Sequence, residues 1–230
     1  MARDMIKIAK AYDTVAKEYA EKFYGEHEKK PLDREVLHRF ARHMMGRQPV
    51  WDFGCGPGQT TQFLADLGVH ISGLDLSSGL VEQARALHPE IPFRQANMLN
   101  LDFENQSIAG VVAFYSIVHF SEDQVERAFH EVFRVLRPEG IFLLTYHIGE
   151  EPIHVGQFLG KAVDLDVMFF KTDFIYHCLE ESGFESVETI EREPYPEVEY
   201  PSRRAYVFAK KLVAQERPQP AVPPDRLRSR

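Results

Sequence analysis

The chain is 230 residues long, 44% hydrophobic and 27% charged, with a formal net charge of -8. That length supports one generous domain with its own core, and the composition is ordinary for a globular protein. No apolar run approaches the roughly 20 residues of a membrane helix, and the acidic balance repels polyanions, so neither a membrane nor a nucleic acid is an expected partner.

The start, MARDMIKIAKAYD, is charged throughout and lacks the apolar segment and small-residue cleavage site of a secretory signal, which predicts a cytoplasmic protein. Two helical patterns follow, over residues 5–22 (Ile6, Ala9, Val15, Ala16, Tyr19) and 33–45 (Val36, Leu37, Phe40, Ala41, Met44), the second announced by Pro31 and Asp33. Strands are then predicted at 49–53, 70–75, 91–95, 109–115 and 140–147, with helices at 58–67, 78–88 and 121–136 between them. This alternation implies a parallel sheet covered by helices on both faces. The helix at 121 is the best marked: Ser121 and Gln124 have capping-box spacing, and Val125, Phe129, Val132 and Leu136 form one apolar stripe.

Residues 148–170 show no sustained period and are long for a connection, which predicts an insertion forming a substrate wall. A helix at 172–182 ends at Gly183, and FESVETIERE and RRAYVFAKK read as two closing strands joined by a proline-rich turn. The stretch 214–230 is polar and proline-rich and is expected to be disordered. The two cysteines, Cys55 and Cys178, give neither a disulfide framework nor a metal-ligand spacing, so reduced thiols and no metal are expected.

The stretch VWDFGCGPGQTT places Gly54, Gly56 and Gly58 directly behind the first strand and ahead of a helix. In an open parallel sheet this turn is where a ligand approaches the backbone, and the free amides of the helix point back at it. A purely structural turn needing positive φ would look the same. Asp75, about 20 residues further on in ISGLDLSS, is placed to accept hydrogen bonds from both ribose hydroxyls of a nucleoside. Its alternative is to cap the helix starting near Ser78, a role equally open to Ser77. A dinucleotide fingerprint has a glycine where Gln59 stands, which makes NAD and an oxidoreductase the weaker reading.

Taken in order, VWDFGCGPGQTT, GLDLSSGLVEQAR and EVFRVLRPEGIFLLTYH resemble the successive motifs of class I S-adenosylmethionine-dependent methyltransferases. Tyr12, Asp13, Ala16 and Tyr19 resemble the Y-D-x-x-A-x-x-Y helix that opens the stand-alone small-molecule branch, with methyltransferase domains of the type 11/25 kind. The resemblance covers about residues 10–210. It implies a Rossmann-like, doubly wound α/β fold whose seven-stranded sheet has the order 3-2-1-4-5-7-6 with strand 7 antiparallel. One domain over 1–213 is expected, with residues 1–48 as a helical cap. S-adenosyl-L-methionine is the implied cofactor, S-adenosyl-L-homocysteine the product, and a small molecule the methyl acceptor, with O- or N-methylation favoured. A monomer or homodimer is expected.

The resemblance further implies that Gly54, Gly56 and Gly58 line the methionine end, that Asp52 helps hold the amino group, and that Asp75, with Leu76 beside it, takes the ribose. Asn97 and Met98 match the adenine pocket, and Phe114 and His119 border the cofactor. Gly110 departs from the family pattern, since many members carry an acidic residue there. The alternatives are a protein or RNA methyltransferase, for which no recognition domain or basic surface is visible, and a non-catalytic S-adenosylmethionine-binding protein.

Methyl transfer from a sulfonium is an in-line displacement, so alignment of the acceptor matters most. An acceptor hydroxyl or ammonium must still lose a proton, and histidine is the natural base near neutral pH. His119 and His147, both just beyond carboxyl ends of strands, and Tyr115 are the catalytic candidates; a hydrogen-bonded structural role is the alternative for either histidine. Tyr12, Tyr19 and Tyr115 can cover the sulfonium with their ring faces or serve as core. The turn between the last two strands should bring Tyr195, Tyr200 and Arg203 toward the acceptor, with Arg203 or Arg204, but only one of them, facing inward.

Overall fold

The computed structural model describes residues 2–212, so the tail expected at 214–230 lies outside the described residues. In chain order the strands are β1 (Val50–Phe53), β2 (Ile71–Asp75), β3 (Phe93–Gln95), β4 (Ile108–Phe114), β5 (Leu136–Ile148), β6 (Ile153–Phe158), β7 (Lys161–Val167), β8 (Glu185–Arg192) and β9 (Arg203–Lys210). Seven of them form one sheet in the order β3-β2-β1-β4-β5-β9-β8, with β9 antiparallel to both neighbours. That is the order expected from the sequence, once the separate β6–β7 hairpin is left out of the count. The strand order reverses between β2-β1 and β4-β5, and their carboxyl ends open a crevice there.

The helices are α1 (Ala2–Phe23), α2 (Pro31–Met44), α3 (Gln59–Asp66), α4 (Ser78–Leu87), α5 (Glu122–Val135) and α6 (Thr172–Glu181). At the start of α5 the Ser121 amide donates to Gln124 Oε1 at 2.9 Å, one half of the expected capping box. Leu136, read as the end of that helix, instead begins β5; Arg137–Gly140 then bulge out before the ladder to β4 resumes at Ile141. On the other face α2 presses so closely on the sheet that a Cβ at Gly110 would lie 2.2 Å from Met44 Sδ. Gly110, where the resemblance would place an acidic residue, is thus a packing glycine.

Residues 148–170 are not the irregular insertion expected. Val163, Leu165 and Val167 alternate with exposed Asp164 and Asp166, and this period of two builds the antiparallel β6–β7 hairpin that packs along α1. A second contact fixes α1 across the start of α4: Asp13 Oδ1 accepts from Ser77 Oγ at 2.6 Å and from the Gly79 amide at 2.8 Å. A Cβ on Gly79 would come within 3.1 Å of Ala16 Cβ, so small residues face each other at the crossing. Among the described residues no helix is long and apolar enough to cross a membrane.

Candidate functional site

A cavity of about 240 Å³ opens at the crevice, walled by α1 and by the carboxyl ends of β1, β2, β4 and β5. The three glycines behind β1 all have positive φ, at 76°, 55° and 88°, but they serve different neighbours. A Cβ on Gly54 would sit 2.4 Å from Ser116 Cβ, and one on Gly58 would sit 2.9 Å from Phe93 Cζ and 3.0 Å from His88 Cδ2. A Cβ on Gly56 would meet no clash, only ordinary contacts with Gln59 Oε1 at 3.7 Å and Tyr19 Cε1 at 3.8 Å. Gly54 and Gly56 line the cavity, whereas Gly58 does not, which corrects the expectation for Gly58: that glycine makes room for β3 and the end of α4.

Two carboxylates flank the loop. Asp75 is buried, with Oδ2 accepting from the Gly56 amide and Oδ1 from the Ser77 amide, each at 2.8 Å. Burial raises its pKa and the two amides oppose that rise. Ser77 Oγ caps α4 by accepting from the Leu80 amide at 3.1 Å, so the helix-cap alternative for Asp75 is filled by Ser77. Asp52 is 1% exposed; Thr61 Oγ1 donates to its Oδ2 at 2.7 Å, while Oδ1 is buried with no hydrogen-bond partner among the described residues. Burial, reinforced by Asp75, pushes the Asp52 carboxyl up to about 7.

Leu76, Leu80, Asn97 and Met98 continue the wall beyond Asp75. Asn97 Oδ1 accepts from the Leu99 amide at 2.9 Å, which fixes the side chain in its loop. Tyr12, Tyr19, Phe114, Tyr115, His119 and His147 complete the lining, and Tyr19 reaches the glycine loop, its Cε1 3.8 Å from where a Cβ on Gly56 would lie. His119 Nδ1 lies 2.6 Å from the Asp166 carbonyl of β7, an acceptor only, so Nδ1 carries the proton. Nε2 is then free to accept from the Tyr12 hydroxyl, 2.8 Å away. Burial lowers the His119 pKa and raises that of Tyr12. His147 bonds Ser202 Oγ through Nδ1 at 2.8 Å, and burial together with Arg204 and Lys30 depresses its pKa to about 3. Tyr115 adopts φ 54°, its amide donating to Thr145 Oγ1 at 2.8 Å and its hydroxyl lying 3.2 Å from that of Tyr206.

Tyr195, Tyr200 and Arg203 do not line the cavity. The Tyr195 hydroxyl accepts from the Leu32 amide at 3.1 Å, Tyr200 is 53% exposed, and Arg203 pairs outward with Glu191 and Glu193. Arg204 faces in. Sequence reasoning missed Thr61, which sits inside the glycine motif and holds Asp52, and it missed Glu26 and Lys30, which reach the cavity from the turn between α1 and α2.

Residues 50–140 match the family model described as methyltransferase domain. The chain is 34% identical over 111 residues to a probable S-adenosylmethionine-dependent methyltransferase of Mycolicibacterium smegmatis, covering 48% of this chain and 42% of that protein. It is also 34% identical over 114 residues to the O-methyltransferase resE of Aspergillus sclerotiorum, covering 46% of this chain and 42% of the relative. The chain thus spans less than half the length of these two curated relatives. Among solved structures, magnesium protoporphyrin IX methyltransferase from Synechocystis PCC 6803 with bound S-adenosylmethionine superposes with a TM-score of 0.67 at 16% identity, over 90% of this chain and 97% of that one. At that identity the likeness concerns the fold.

Proposed function

We propose that this class I S-adenosylmethionine-dependent methyltransferase, with its methyltransferase domain at residues 50–140, moves a methyl group from S-adenosyl-L-methionine to a small molecule, on oxygen or nitrogen. One observation carries the reading: Asp52 Oδ1, buried and without a hydrogen-bond partner among the described residues, in the wall of the cavity that Gly56 also lines. A buried carboxylate oxygen without a donor is costly, and the ammonium of a methionine tail supplies the missing donor. A nicotinamide dinucleotide carries no ammonium to donate to it.

The residues fit the rest of that molecule as well. Asp75 keeps lone pairs for ribose hydroxyls beyond the two amides it already accepts, and Leu76, Leu80, Asn97 and Met98 surround the position an adenine would take. When bound, S-adenosyl-L-methionine supplies a sulfonium methyl for in-line displacement.

The chain's own part is to align the acceptor, exclude water and accept a proton. Tyr12 and Tyr19 wall the cavity with their rings. His119 is the base in this reading, acting through Tyr12: as the acceptor gives its proton to the Tyr12 oxygen, the Tyr12 hydroxyl proton passes to His119 Nε2, already 2.8 Å away. His147, held near 3 by burial and two cations, stays neutral and serves as wall. The test is incubation with methyl-labelled S-adenosyl-L-methionine and a panel of small metabolites, reading which compound acquires the label. Tight NAD binding with no calorimetric response to S-adenosyl-L-methionine or S-adenosyl-L-homocysteine would end this reading.

A further inference from the structure

Behind the acceptor end runs a chain of buried charges of alternating sign. Asp33, with no exposed surface, accepts from the Tyr206 hydroxyl at 2.5 Å and from Arg192 Nη2 at 3.0 Å. Arg192 forks onto Glu199, and Glu199 Oε2 lies 3.1 Å from Nε of Arg204. The chain ends there, on a cation in the cavity wall. Arg204 is 2% exposed and donates through Nη1 to the Ser202 carbonyl. Its Nε is close to Glu199 but not aligned for a hydrogen bond, and no described residue accepts from Nη2. Lys30, 7% exposed, also lines the cavity, with its Nζ on Glu26 and 5.6 Å from the centre of the Tyr115 ring. The Tyr115 and His147 rings lie 5.3 Å apart beside these cations.

We propose, on the methyltransferase reading above, that the methyl acceptor carries a carboxylate, which docks on Arg204 beside Lys30 and sets the rest of the molecule against Tyr115 and His147. Nη2 of Arg204 has no acceptor among the described residues, and a carboxylate supplies one in a charge-assisted contact. Arg203, one residue earlier, has carboxylates of its own in Glu191 and Glu193; Arg204 must share Glu199 with Arg192. The depression of the His147 pKa, to which Arg204 and Lys30 contribute after burial, agrees with a positive potential at this wall. A single negative charge suits the site better than a phosphate dianion, because Glu26 and Glu199 stand close by.

The experiment measures, by calorimetry on the full chain saturated with S-adenosyl-L-homocysteine, the binding of matched acids and primary amides: benzoate, phenylacetate and 3-phenylpropionate against their amides. At least one acid should bind about tenfold or more tightly than its amide, the scale of one charge-assisted contact. That preference should vanish in Arg204→Gln, persist in part in Arg204→Lys, and remain intact in Arg203→Gln. Equal binding of every acid and its amide, no binding of any acid, or a preference that survives in Arg204→Gln overturns the proposal; if that variant does not fold, a preference that is reduced in Arg204→Lys and undiminished in Arg203→Gln still supports it, and equal preference in both overturns it. Should the chain refuse S-adenosyl-L-homocysteine, the methyltransferase reading fails, and the same pairs titrated into the free chain decide the anion site by themselves.

Discussion

Cofactor affinity should depend steeply on pH, with Asp52 setting the slope. Its carboxyl is pushed from 3.8 to about 7 in the free protein, whereas pairing with an ammonium requires the ionised form. Above that value the carboxylate is already charged and binding releases no proton. Below it a proton must leave on binding, so the association constant falls by about tenfold per pH unit. Between pH 7.5 and 5.5 this gives a loss of about 25-fold, or ~2 kcal/mol, and the upper limit set by the whole shift is ~4 kcal/mol. Equilibrium dialysis of S-adenosyl-L-homocysteine over that range measures it. Two controls isolate the cause. Asp52→Asn should bind more weakly at pH 7.5 and show a flat profile. In the wild type, 5′-methylthioadenosine, which has the nucleoside without the amino-acid tail, should show little pH dependence and so exposes any share due to Asp75. A flat wild-type profile, or an equal slope in Asp52→Asn, refutes the reasoning. The free protein should show the opposite trend: because the folded pKa is raised, the Asp52 contribution to stability is fully present below about pH 4 and is lost as pH rises through 7, so Asp52→Asn should remove part of any fall in melting temperature between pH 5.5 and 8.

Asp75→Ala removes the acceptor of two loop amides and of the proposed ribose contacts, so dissociation constants for both S-adenosyl-L-homocysteine and 5′-methylthioadenosine should rise at least about tenfold; unchanged values would leave Asp75 a purely structural residue. Gly54→Ala drives a Cβ to 2.4 Å from Ser116 at a positive φ and should lower thermal stability by ~2 kcal/mol or more, whereas Gly56→Ala meets no clash, should cost only ~1 to 2 kcal/mol, and should chiefly weaken cofactor binding. With an identified acceptor, His119→Ala should slow turnover about 10²- to 10⁴-fold, and Tyr12→Phe, which keeps the ring but not the hydroxyl, should follow it; full turnover in Tyr12→Phe would remove the relay.

The elements of the sheet and the part of the cavity built by the glycine loop and Asp75 were legible because their signals are local. Strand, glycine turn, helix and a terminal aspartate follow one another within Val50–Asp75, whereas the strand order was implied by the family resemblance and not by any local signal. Gly58 was misjudged because a glycine that yields to a ligand and one that yields to Phe93 read alike in sequence. The β6–β7 hairpin did carry a readable alternation in VDLDV, but it is short and flanked by glycines and charges. The acceptor end was the least legible. Its partners are far apart in the chain: Asp33 meets Arg192 across 159 positions and Tyr206 across 173, and no spacing rule connects them. Reasoning from strand alternation did reach the correct either-or at positions 203 and 204, since it needs only the period of two.

That either-or has a further consequence for how the sheet is assembled. β9 lies between β5 and β8, and its residues Ala205–Ala209 are buried, so its register is already set by packing on both faces. A slip of β9 by one residue exchanges the directions of Arg203 and Arg204, withdrawing one guanidinium from Glu199 and turning the other away from Glu191 and Glu193. A slip that brings Ala205 to the place of Arg204 thus takes from Glu199 one of its cations, while Arg192 keeps both Asp33 and Glu199. The charge that Arg204 presents to the cavity wall therefore depends on the alignment of β9 in the sheet.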